Sequence, residues 1–390
     1  MQRDLIKNSS NIFKSYLFLF LFLLAFILRI SLYKIQSSDY IDYLHPWYEF
    51  IRTHNGFAAL KYNFSDYNVV YLYLLTLATY IPIQPIVAIK TLSVVFDAAL
   101  ALFTYLILRL KYKHSSVPVI GAIAVLFAPT LFLNSAAWGQ CDAIYTACCL
   151  GSLYFFLSKR YAWACLFFGL AISFKLQAIF FLPVLVVLFF TGKLSIKSLI
   201  LIPMIFLTLL VPAFLAGRDI WSLLTIYAGQ ANENAFLTDA PNLYQWLPGG
   251  AFEDWKWRGI NLTIIMVSSI ILLTMMSKKR IASDIILKLV LIFALTIPFF
   301  LPDMHQRYFY LADVFSIIYA FSLPRYWFVA VIEQICSLLG YALFFKIQVV
   351  SLSSVSYAIF LLIVLTVADL VKTLYPTIHR TSRDASCIRS

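Results

Sequence analysis

Charge is what this chain has least of. Only 12% of its residues are charged, and 18 acids stand against 30 lysines and arginines, where soluble domains carry about 25% charged residues. So few charges cannot cover a water-facing globule. Paired cysteines are missing as well: Cys141, Cys148, Cys149, Cys165, Cys336 and Cys387 lie mostly in apolar runs without CxxC or histidine-rich spacing. That excludes a zinc centre or a disulfide framework. No small-x-small cleavage site follows the first apolar run, which therefore reads as an uncleaved span and not a signal peptide. No internal repeat is evident. The short alternating segments of a β-barrel are absent too.

What the chain has is apolar length. With 62% hydrophobic residues, it repeats segments near the ~20 residues that cross a bilayer, so the expected class is an all-α polytopic membrane protein forming one integral domain, 1–390. Spans are expected near 12–33, 83–110, 117–135, 141–157, 161–176, 178–191, 196–216, 259–277, 283–301, 306–323, 326–346 and 349–371. With the N-terminus inside, Arg109-Lys111-Lys113, Lys159-Arg160, Lys193-Lys197, Lys278-Lys279-Arg280 and the tail 373–390 all fall on the cytoplasmic side, as the positive-inside rule requires. The +12 net charge thus marks topology, and nucleic acid is not an expected partner. Residues 68–82 are too short to cross. They are expected to lie in the interface with their tyrosines at headgroup depth. Two long polar stretches, 34–82 and 217–258, then share the outer face, and long loops in compact proteins are commonly functional.

The outer face holds the candidate chemistry. Asp39 and Asp42, three apart in SSDYIDYLHPWYEFIRTHNGF beside His45, Trp47, Glu49 and Arg52, are candidate general bases for an acceptor hydroxyl; the competing reading is a pair of solvated loop acids. His305 and Arg307 in LPDMHQRYFY suit a phosphate, since Arg offers a planar fork; the alternative is an arginine snorkelling beside tyrosines. Lys175 and Gln177 interrupt an apolar run, and a lysine there needs a partner: a lipid-linked anion, or a buried acid. Trp138-Gly139-Gln140-Cys141-Asp142 offers a stacking ring, a close backbone approach and two hydrogen-bonding groups for a sugar, or a plain helix start with Asp142 in its first turn. Asn242 and Tyr244, in Ala240–Trp246, have the same amide-plus-aromatic character. Asp97 lies mid-span, seven residues from Lys90, and reads as a structural partner. Asp284 and Lys288 read as a stabilising i,i+4 pair. The sequons at Asn63 and Asn261 occur too often by chance to carry weight.

Taken in order, SSDY…HPWYEFI…G…DYNVVYLYLL, AAWGQCDAIY, FKLQAIFFLP, APNLYQWLP and MHQRYFYLADV resemble the bacterial GPI-mannosyltransferase-like proteins of the GT-C glycosyltransferase class. The resemblance runs over roughly residues 36 to 320. It implies a bundle of about 12 transmembrane helices with interfacial helices and a catalytic acid in the first outer loop. It also implies a polyprenyl-phosphate sugar donor, a glycan or lipid-linked acceptor, inversion at the anomeric carbon, and no metal or other cofactor. Asp39 matches the position of the acid, His305 and Arg307 the late phosphate-side motif, Trp138-Gly139-Gln140 with Asp142 the WGQ-D element, and Lys175 with Gln177 its K-x-Q. Gln306 stands where a Glu is expected, which removes any carboxylate role there.

The expected function is transfer of a hexosyl residue, such as mannosyl, at the extracytoplasmic face of a bacterial plasma membrane. A secondary transporter would place its site near the midplane between repeats. A lipid-linked glycan ligase or polymerase would favour arginine-rich outer loops, and only Arg52, Arg218 and Arg258 lie there.

Overall fold

The computed structural model describes residues 2–231, 239–247, 252–277, 279–347 and 350–376; Cys387, the tail beyond 376 and parts of the 217–258 loop lie outside them. Among the described residues every regular element is helical. Seven helices are long and apolar enough to cross a membrane, and a bent pair, Val117–Phe127 with Pro129–Trp138, makes an eighth. The chain is a multi-pass α-helical membrane protein. Five of the twelve expected spans do not reach that length as single straight helices. Two are the helices Asp142–Leu157 and Tyr161–Phe174. The third is the bent pair, and the fourth is Tyr310–Ser322, preceded by a tight turn over Gln306–Phe309. The fifth is the helix Leu182–Phe190 with the tight turn Leu176–Phe181 before it.

The single domain expected from the sequence divides into two compact units, Met1–Leu176 with Leu201–Asn232, and Gln177–Ile200 with Glu233–Ser390. The division follows the connections: the chain passes between units at short breaks, while the dense packing stays within each.

In the first unit α1 (Gln2–Ser31) is followed by a wide turn, Tyr40–Leu44, and the amphipathic helix α2 (His45–Thr53). Pro46 near the start of α2 suits a helix entrance, where its missing N–H is not needed. Trp47, Tyr48 and Ile51 are buried, while His45, Glu49 and Arg52 lie on the solvent-accessible face of the helix, with Glu49 bound by Arg52 at 2.7 Å. Asn55 and Gly56 turn the chain through left-handed conformations at φ 60° and 63°; a Cβ on Gly56 would also sit 2.1 Å from the Tyr80 hydroxyl.

Next comes α3 (Val69–Thr79), capped by the Asn68 side chain. At 1.5 Å per residue its length is about 16 Å, roughly half a bilayer core, so it does not cross. Two of its tyrosines pack against protein, while Tyr80 just beyond it is exposed. Tyr71 is buried, and the Tyr73 hydroxyl donates to Leu209 O at 2.9 Å while accepting from Ala213 N at 3.0 Å. The helix Leu201–Leu215 contains Pro212, which interrupts its hydrogen-bond ladder. Tyr73 fills the adjoining gap.

The long α4 (Pro85–Lys111) runs beside α5 (Val117–Phe127) and the short α6 (Pro129–Phe132). Beyond a π-type turn over Leu133–Trp138 lie α7 (Asp142–Leu157) and α8 (Tyr161–Phe174). Asp97 in α4 is a structural partner, as expected, but of Arg29 at 2.6 Å and Ser135 Oγ at 2.6 Å, not of Lys90. Both Arg29 and Asp97 are essentially inaccessible.

The second unit is built around the helix Ser283–Phe300, buried throughout from Ile285. Against it pack Phe252–Met276, Tyr310–Ser322 and Leu352–Leu374, and Trp327–Phe344 packs on the last two. Lys288 makes its ion pair with Asp369 at 2.5 Å, so the charge read as one end of a local pair with Asp284 ties two separate helices together.

Breaking a buried ion pair costs about 3–5 kcal/mol, whereas replacing both members with hydrophobic groups is often near neutral. Arg29→Met should therefore lower the melting temperature of detergent-purified protein far more than Arg29→Met with Asp97→Leu. Equal losses in a thermal melt would contradict the pairing.

Candidate functional site

The candidate site of the first unit is built where α1 ends. Lys90, fully buried in α4, sends its ammonium to Tyr33 O at 3.2 Å, Ile35 O at 2.5 Å and Ala137 O at 3.0 Å. These carbonyls belong to the exit of α1 and the end of the π-type turn, so one side chain fastens two distant segments. Ser37 adds a second tie, donating to Trp138 O at 2.6 Å while accepting from Tyr40 N at 3.1 Å.

These ties bring Asp39 against the WGQ segment. Trp138 Nε1 donates to Asp39 Oδ2 at 2.9 Å, and Gln140 Nε2 donates to the same oxygen. Two donors converging on one oxygen set the plane of the carboxylate, which stays half-buried at the end of a membrane span. Asp42 stands on the exposed side of the same turn. The two acids therefore differ in environment even though they are three residues apart.

Gly139 adopts φ 85°, the left-handed conformation that closes a helical turn and that glycine reaches without cost. A Cβ there would meet Leu44 and Lys90 only at 3.7 Å, an ordinary contact. The glycine is thus needed for its backbone angle and not for close approach. Both Gly139 N and Gln140 N donate to Asn134 O, at 3.1 and 3.0 Å.

Behind Asp39 the polar groups form a closed circuit. Tyr67 donates its hydroxyl to Gln140 Oε1 at 3.0 Å, and the Lys175 ammonium lies 5.4 Å from the Tyr67 ring centre. Lys175 pairs with Asp142 at 2.5 Å, and Asn134 Nδ2 donates to Asp142 Oδ2 at 2.9 Å. The Asn134 carbonyl then returns the circuit to Gln140 N.

This circuit corrects three sequence expectations. Trp138 is wholly buried, so its ring cannot serve as a sugar platform; its indole N–H orients an acid instead. Gln140 and Asp142 are also buried, with their polar atoms directed at protein groups and not at sugar hydroxyls. Lys175 has the buried acid Asp142 as its ion-pair partner.

The second unit holds the other candidates. His305 lies 3.8 Å from Asp239, Nδ1 to Oδ2, and the Arg307 guanidinium is 5.6 Å from the Tyr308 ring centre. The His305 imidazole, with the Arg307 charge acting in the same sense, holds the Asp239 carboxyl below its usual value. Asp239 escaped the sequence reading because it stands just ahead of the APNLYQW run and has no local partner. Gln306 is buried, with its Cβ 3.2 Å from where a side chain on Gly340 would begin; a neutral group at that position suits the enclosure.

Asn242 and Tyr244 are structural as well. Asn242 is fully buried and caps the tight turn Leu243–Trp246, its Oδ1 accepting from Tyr244 N at 3.2 Å, and its carbonyl accepts from Ser356 Oγ at 2.6 Å. Tyr244 is buried and donates to Phe300 O at 2.7 Å. Neither is open to an acceptor. Gln177 is partly buried, and its Oε1 is enclosed without a hydrogen-bond donor.

No group of three or more histidines, cysteines or acids among the described residues could hold a metal ion. No protein-family model matches the chain, and no curated protein matches it.

The Tyr67–Gln140 bond is the joint on which the orientation of Asp39 turns. Residues sharing a hydrogen bond show coupling of about 0.5–3 kcal/mol. Tyr67→Phe and Gln140→Leu should each destabilise the purified protein, and the double variant should lose less than the sum. Strictly additive losses in denaturant unfolding would refute the shared bond.

Proposed function

We propose that this chain is a membrane glycosyltransferase of the GT-C kind, which moves a hexosyl residue such as mannosyl from a polyprenyl-phosphate donor to an acceptor hydroxyl with inversion. The observation that supports it most is the half-buried Asp39 carboxylate, oriented by Trp138 and Gln140 at the outer end of the first span. The resemblance of five ordered motifs points the same way. In this reading the bundle has about twelve spans, both termini are cytoplasmic, and the acid faces the outside of a bacterial plasma membrane.

The chemistry follows from the acid. The acceptor oxygen attacks the anomeric carbon and passes its proton to Asp39, while the bond from that carbon to the phosphate oxygen breaks and its electrons leave with the phosphate. A lipid phosphate is already a competent leaving group when cations stabilise it, so one base is sufficient. Asp39 fits that task better than Asp42, because fixed donors orient it beside an apolar wall. A carboxylate left on an exposed turn has no such orientation. The motif resemblance assigns the donor phosphate to His305 and Arg307 of the second unit. Trp138, Gln140, Asp142, Asn242 and Tyr244 act in the scaffold, and Lys175 supports the first unit through Asp142.

General-base assistance contributes about 10²–10⁴-fold to rate. Asp39→Asn keeps an oxygen for Trp138 and Gln140 to bind, so it should fold and bind donor normally yet lose transfer by about that factor; Asp42→Asn should stay close to wild type. The assay is radiolabelled transfer from polyprenyl-phosphate mannose to acceptor supplied outside sealed right-side-out vesicles. Normal turnover by Asp39→Asn would sink the assignment, and uptake of sugar without transfer would favour a transporter.

The phosphate assignment is tested separately. Arg307→Lys keeps the charge but loses the fork, so donor binding to the purified protein should weaken markedly. Undiminished donor affinity in Arg307→Ala would end the assignment of that residue.

A further inference from the structure

The basic end of the first unit contains a cavity that the chemistry above does not use. It measures about 410 Å³ and is lined by Leu106, Arg109 and Leu110 of α4, Lys113 and His114 just beyond it, and Tyr154 of α7. That volume falls within the roughly 300–1,000 Å³ of small-molecule sites. Leu102, Leu106 and Leu110 recur at four-residue spacing, so they form one apolar stripe along α4. Leu102 and Leu110 are 54% and 41% exposed, and so is Trp163 at 54%. Arg109, Lys113 and His114 are exposed at the end of that stripe. An apolar wall ending in a cluster of cations has the outline of a lipid: acyl chain along the helix, headgroup at its end.

Acids are scarce along the stretch of sequence that lines the cavity. From residue 98 to residue 218 the sequence contains one acid, Asp142, and that acid is buried against Lys175. Lys111, Lys159 and Arg160 add further positive charge along this stretch. The carbonyl end of α4 favours cations in its last turn, which accounts for Arg109 and Lys111. It does not explain a concave site with Lys113 and His114 on the same rim. Basic pockets between membrane helices on the positively charged side recognise anionic lipid headgroups.

We propose that this cavity binds an anionic phospholipid, with the phosphate held by Arg109 and Lys113 and an acyl chain along Leu102, Leu106 and Leu110. The proposal does not depend on the glycosyltransferase reading, and its test does not measure transfer.

The full-length protein would be purified in a neutral detergent and titrated with phosphatidylglycerol or phosphatidylcholine under native mass spectrometry. One phosphatidylglycerol should be retained where phosphatidylcholine is not, and millimolar inorganic phosphate should not displace it. Arg109→Gln with Lys113→Gln should weaken retention roughly thirtyfold, from the energy of two basic groups at an anionic surface. Lys159→Gln with Arg160→Gln should leave it unchanged. Leu110→Trp, which keeps every charge and fills the groove from an exposed position, should also release the lipid, and it serves if the charge variants fold poorly. Equal retention of both lipids, displacement by phosphate, an effect of the Lys159/Arg160 control as large as that of the cavity variant, or a dimer that covers the cavity would each overturn the proposal.

Discussion

A buried ammonium must be satisfied by oxygen, and the first unit is arranged around that requirement. Lys90 lies among apolar helices, where an unpaired charge is prohibitively costly. It is answered by backbone carbonyls from the exit of α1 and from the turn before Gly139. Carbonyl dipoles at helix ends are the groups left over when a ladder stops, so the lysine and the helix ends resolve each other's deficit. The geometric result is that the chain after α1 and the chain before α7 cannot separate. Asp39 meets Trp138 and Gln140 because of this, with Ser37 as a second fastening.

The same economy governs the other interior charges. Arg29 with Asp97, Lys175 with Asp142, and Lys288 with Asp369 are each joined across helices at 2.5–2.6 Å. None of the three pairs is a near neighbour in sequence. This explains why Lys175 and Asp142, viewed along the chain, looked like groups awaiting a substrate: local spacing shows the cost of a charge in an apolar run but not the partner that offsets it. Lys288 misled in the opposite direction, because Asp284 stood at the expected helical spacing while the ion pair formed with another helix.

Apolar length and the positions of Gly, Pro and basic residues made the helical, membrane-spanning character legible, and the location of Asp39 just past α1 marked it as distinctive. The misreadings concern aromatics and amides. Trp138, Tyr71 and Tyr244 have amphipathic side chains that suit an interface or a sugar platform equally well, and only tertiary burial decides that each turns inward. Gly139 was legible as a special position, although its reason is a left-handed backbone angle and not crowding. The division into two units, with 177–200 joining the second and 201–232 returning to the first, leaves no compositional trace, because the apolar helices on either side of each break have the same character.

The oriented carboxylate also has a history in time. Asp39 lies 99 residues before the indole that orients it and 101 before the amide. At ribosomal rates of about 5–20 residues per second, its partners emerge roughly 5–20 seconds after it does. During that interval α1 is already available to the bilayer while the acid has no fixed geometry. Completion of the circuit waits until Lys175 has been made, since Asp142 is unmatched before then. The acid therefore acquires its full setting only once the helices up to α8 are in place.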